Sequence, residues 1–136
     1  MHKAAWLIPL LVACGMLLTV RAHAGSYLDR AALLVDQTRR ESQYLRKHLS
    51  DVELARMVHK TCVGRVNAAR DMLVPKEVQL AHPHIVIMLE SYERAAAAAE
   101  KRSAGEFLEF TRRAQDEEQT FRSILAQSGW TLPTVD

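Results

Sequence analysis

Apolar and small residues recur along this chain in steps of three and four, the rhythm of helices that bury one face. From Gly25 onward the first such stripe is Leu28, Ala31, Val35, Thr38, Ser42, Leu45 and Leu49. It lies opposite a polar face of Asp29, Arg30, Arg39, Arg40, Arg46 and Lys47. The spacing predicts a helix over about 26–49. Ser50-Asp51-Val52-Glu53 then reads as a capping box, in which Ser50 accepts from the Glu53 N–H and the carboxylate reaches back. A second helix over 51–73 follows, with Ala55, Val58, Cys62, Val66, Ala69 and Leu73 on its inner face. Val74-Pro75 ends it, because the residue before proline avoids the helical region.

Pro83 suits a first helical position, so a third helix is predicted over 83–102. Its stretch from His84 to Leu89 is apolar on nearly every side and should be the most buried turn. The alanines from Ala95 to Ala99 favour helix and permit close approach of a neighbour. Ser103-Ala104-Gly105-Glu106 is a second capping box, opening a helix over 104–128 with Phe107, Phe110, Ala114, Phe121, Ile124 and Leu125 inside. Gly129 stops it as a C-cap. Trp130-Thr131-Leu132-Pro133 continues as an extended tail, with Trp130 folded back over the bundle end.

Four helices with short connections imply an all-α fold, a small antiparallel up-down four-helix bundle. The alternative is a pair of long helical hairpins completed only in a dimer. In that case the small-residue stripe of the first helix would be a coiled-coil seam.

The segment before Gly25 reads differently. Lys3, an apolar run from Ala4 to Val20, and the ending Ala22-His23-Ala24 form the pattern of a secretory signal peptide over residues 1–24. The preferred cut is between Ala24 and Gly25, giving a domain over 25–136. Two other fates fit the same residues. Leu11-Val12-Ala13-Cys14 resembles a lipoprotein signal that would leave Cys14 lipidated. The apolar run of 17 residues, at the lower edge of a membrane span, could also be retained as an anchor. In each case the chain is exported, to the periplasm or beyond. Membrane contact arises only through this segment or through lipid on Cys14.

Cleavage after Ala24 changes the charge balance. The full chain carries 18 Lys and Arg against 16 Asp and Glu. Lys3 and Arg21 leave with the signal segment, so the remaining domain is formally neutral. A neutral domain lacks the basic footprint that nucleic-acid binding requires. Losing Cys14 also leaves Cys62 alone, so no internal disulfide staples the fold.

No motif of a specific chemistry is present: no Cys-x-x-Cys-His, phosphate loop, Gly-x-Ser-x-Gly or His-Glu-x-x-His. The chain is read as non-catalytic and without an obligate cofactor. A weaker metal reading uses His59 and Cys62, three apart on one helix, with His84 and Met88, four apart on another. Imidazole, thiolate and thioether together compose a soft copper or zinc site. A noncovalent haem against the His84–Leu89 wall belongs to the same reading. The simpler account makes Cys62 and Met88 core residues, has His82 cap the third helix, and packs His84 at the bundle end. Glu117 and Glu118 interrupt the inner stripe of the fourth helix, and Arg65 offers Glu117 a partner that would fix helix register. A di-iron site would need Glu-x-x-His on two helices, and no Glu stands three before a His.

A binding, adaptor or scaffold module is therefore expected, working on an envelope protein or on a second copy. The candidate contact residues are Tyr27, Leu34 and Tyr44 on the first helix and Trp130 and Leu132 of the tail. Aromatic residues of this kind combine apolar area with a polar handle. Closing the bundle ends would employ the same side chains.

Overall fold

The computed structural model describes the backbone from Leu7 and the side chains from Ala24. The signal peptide, the lipidation reading of Cys14 and the retained-anchor reading therefore fall largely outside the residues whose side chains are described. Among the described residues there are four α-helices and no strand. The helices are α1 (Leu7–Arg46), α2 (Val52–Arg70), α3 (His82–Glu100) and α4 (Ala104–Gln127), with a 3-10 turn at Lys76–Val78. From Ala24 on, no helix is long and apolar enough to cross a membrane.

Each boundary has a local cause. α1 does not begin near residue 26 but continues from Leu7, since nothing between Arg21 and Gly25 removes a backbone donor and one glycine costs a helix only about 1 kcal/mol. It ends at Arg46, three residues before the expected stop, where Lys47–Ser50 form a turn. The cap of α2 is Asp51, one residue later than expected: its carboxylate accepts from the Leu54 N–H at 2.9 Å. Asp competes well with Ser for this role. α2 stops at Arg70, so Leu73 falls outside the helix and is exposed rather than on its inner face. At α4, Ser103 stands at the N-cap without a side-chain hydrogen bond.

Two helices close with the same backbone device. At the end of α4 the Gly129 N–H bonds the Ala126 carbonyl at 3.0 Å and the Trp130 N–H bonds the Leu125 carbonyl at 2.9 Å, with Gly129 at φ 79°. At the end of α3 the Arg102 N–H bonds Ala99 and the Ser103 N–H bonds Ala98, both at 2.9 Å. Both are Schellman motifs. The second places an arginine at φ 60°, where glycine is the ordinary choice.

The ion pairs give the topology. From α2 to α3, Arg56 meets Glu100 and Arg70 meets Glu90, so the two run antiparallel. Arg65 of α2 meets Glu41 of α1, and His84 of α3 meets Glu117 of α4. Tyr27 of α1 reaches His82 at the start of α3, so α1 packs on α3 as well as on α2. Among the described residues the four helices are thus joined as in a four-helix bundle.

α3 is the hub. It packs closely on α2 and α4 and also touches α1. The reason lies in its side chains: Ala95, Ala96, Ala98 and Ala99 are all buried, so three neighbours can approach one helix. Larger groups fill the remaining space. Phe107 and Phe121 from α4, Leu45 and Val35 from α1, Val66 from α2, and Ile85, Met88 and Leu89 from α3 are fully buried. Burying a side chain of this size contributes roughly 1.5–3 kcal/mol. The expected stripe of α1 is inside except for Leu49, which is half-buried. The all-round apolar turn of α3 is not uniformly buried. Ile85, Met88 and Leu89 are inside, whereas His84, Val86 and Ile87 are only partly covered. A helix in contact with three others still leaves one flank to water.

Candidate functional site

The four potential soft ligands do not converge. His59 lies on α2 and pairs with two carboxylates of α3, Glu100 at 3.1 Å and Glu93 at 3.9 Å. His84 pairs with Glu117 at 2.8 Å. Glu93 follows His84 by nine residues on α3, a rise of roughly 13 Å along the axis. The two histidines are thus held at different levels of the bundle by different acids. Cys62 and Met88 are fully buried, and desolvation pushes the Cys62 thiol up to about 12. That burial favours the protonated thiol. Among the described residues no group of three or more His, Cys, Asp or Glu is placed to hold a metal ion.

Other polar expectations are re-partnered. Arg65 does not meet Glu117; it forks onto Glu41, at 2.7 Å and 2.5 Å, and Thr61 donates to the same carboxylate at 3.0 Å. The Arg65 guanidinium holds Glu41 below the usual carboxylate range. Sequence reasoning missed Glu41 because it considered only acids on later helices. Glu118 is the interior acid of α4, beside Arg39 at 3.6 Å and Arg122 at 2.8 Å. This ties α4 to α1. His82 does not cap α3. Its Nδ1 lies 2.9 Å from the Tyr27 hydroxyl.

The five proposed contact residues divide. Tyr27 is buried and belongs to the interior. Leu34, Trp130 and Leu132 are partly buried against the core. Arg40 donates to the Val135 carbonyl at 3.3 Å, so the tail lies back along α1. Tyr44 alone stands well out, at 56% exposure, with its ring 4.3 Å from that of His48. Leu33, which the sequence reading did not single out, is also exposed on α1. Its signal was a leucine just outside the inner stripe, a pattern that ordinary surface leucines share.

The arrangement is one of paired charges and covered apolar faces, with Leu33 and Tyr44 left exposed on α1. Comparison with protein-family models, with curated proteins and with solved structures finds no match to this chain.

Proposed function

We propose that this protein is an exported, non-catalytic helical bundle that serves as a binding, adaptor or scaffold module in the cell envelope, directed there by residues 1–24. The reading is carried by α1 and the two large side chains on its outward face. Its inner stripe is buried, yet Leu33 and Tyr44 remain in water and the tail covers only part of the surface between them. Such a helix accepts a second apolar helix or groove by side-chain burial, with the tyrosine hydroxyl and His48 supplying polar contacts at the rim. Leu34, Trp130 and Leu132 keep part of their surface outside the core they pack against, and Tyr27 positions α1. The partner is an envelope protein or another copy of the chain.

The test is a photo-crosslinking amino acid placed at Tyr44 in cells expressing the full chain, with Gln119 on α4 as the comparison position. A discrete adduct from position 44, absent from position 119 and lost with Leu33→Glu, is the expected result. Recovery of the chain in the cytoplasm, or equal crosslinking from both positions, would overturn the reading.

A further inference from the structure

The two most exposed large apolar side chains described in the molecule are Leu73 at 89% and Leu80 at 81%. Both sit in the connection between α2 and α3, the eleven residues 71–81, which also bury Val78. The connection is therefore a packed element that turns two leucines outward, and water is an unfavourable surrounding for them. The same end of the bundle is where the N-terminal segment departs. Tyr27 contacts His82 at the first turn of α3, so the chain before Ala24 leaves the body beside this connection. That chain contains the apolar run Ala4–Val20, bounded by Lys3 and Arg21.

We propose that the exported chain retains this apolar run in the lipid bilayer and that the α2–α3 connection rests on the bilayer surface, with Leu73 and Leu80 entering its interfacial layer. The inference rests on the export reading above and selects one of the three fates the leading sequence allows. One surface then accounts for two features. The membrane that takes up the run also covers the leucines that the fold leaves uncovered. Apolar side chains at the edge of a lipid-held domain add binding in proportion to the area they bury. Insertion would also fix the orientation of the bundle, with the α3–α4 connection farthest from the lipid.

The full chain, carrying Cys14→Ser and a fluorophore at Leu80→Cys or Leu73→Cys, is reconstituted into phosphatidylethanolamine–phosphatidylglycerol vesicles with brominated acyl chains. Leu108→Cys, near the start of α4 at the other end and 46% exposed, is the reference. Quenching at positions 73 and 80 at least threefold above that at 108 is expected; equal quenching at all three overturns the contact. The mass of the chain recovered from the envelope checks retention. A mass that includes residues 4–20 supports the proposal, and a chain beginning at Gly25 or at a lipidated Cys14 sinks it while leaving export intact. An unprocessed chain found in the cytoplasm would instead remove the export reading itself.

Discussion

The hydroxyl of Tyr27 and Nδ1 of His82, 55 residues apart, meet at 2.9 Å and join the first helix to the start of the third. Their rings also approach edge to face, with centroids 5.7 Å apart. Burial pushes the His82 imidazole below its ordinary value of 6.5, against a smaller opposing effect of a backbone hydrogen bond with Ala69. A neutral Nδ1 accepts the phenolic hydrogen; a protonated one cannot. Because the folded form binds its proton less readily than the unfolded chain, stability is lost as pH falls through 6.5 towards the lower folded value. Urea melts at pH 7.5 and pH 5 should show a larger loss for the natural chain than for His82→Gln. Tyr27→Phe should cost about 1 kcal/mol at pH 7.5, the usual worth of a buried hydrogen bond. An unchanged difference between the two pH values in His82→Gln would refute the linkage.

Arg102 occupies a backbone region that costs an ordinary residue roughly 1–2 kcal/mol. Its two flanking hydrogen bonds hold it there, because they close α3 and set the entry into α4. Arg102→Gly should therefore raise stability, by about 0.5–1 kcal/mol once the greater freedom of glycine in the unfolded chain is deducted. Gly129→Ala, at the equivalent position after α4, should lower it by a similar amount. Thermal unfolding of the two single variants checks both signs, and movement in the same direction would contradict the shared motif.

These two sites mark the limits of legibility in the sequence. Most of the buried stripes of α1, α2 and α4 could be read from spacing, although Phe110 and Ile124 of α4, expected inside, are only partly buried. Gly129 was legible because glycine signals its own backbone. Arg102 was not, since the chain holds an αL arginine by tertiary closure against its preference. Among the candidate site residues, the burial of Cys62 and Met88 followed from their stripe. The partners of Arg65, His82 and His84 did not. An ion pair depends on which helices are adjacent and at what level, and stripe periodicity is blind to both. Tyr44 and Tyr27 look alike in sequence, and only the position of α3 separates an exposed ring from a buried one.

The close packing around α3 depends on the absence of side-chain volume. Ala96 is buried in a helix with three neighbours, so added atoms have nowhere to go. Ala96→Leu should destabilise by about 1–3 kcal/mol through overpacking. Phe121→Ala, which instead opens a cavity at a fully buried ring, should cost about 3–5 kcal/mol. Denaturant titration gives both values. A neutral Ala96→Leu would mean that α3 has a free flank at that level.

The Cys62 thiol provides a measure of how firmly α2 is seated. It is fully buried, and desolvation outweighs the nearby Arg65, which alone would favour the thiolate. Thiolate is the reactive form, so the native thiol is protected twice, by access and by protonation. In a Cys14→Ser chain, Ellman's reagent at pH 8 should label Cys62 only as fast as the protein opens, and at once in urea. Arg65→Met should leave Glu41 without its fork on the α1–α2 face and accelerate labelling by loosening that contact. If Arg65 instead acted on the sulfur mainly by favouring the thiolate, its removal would slow the reaction. The direction of the rate change thus distinguishes a structural clamp between two helices from an electrostatic activator of the thiol.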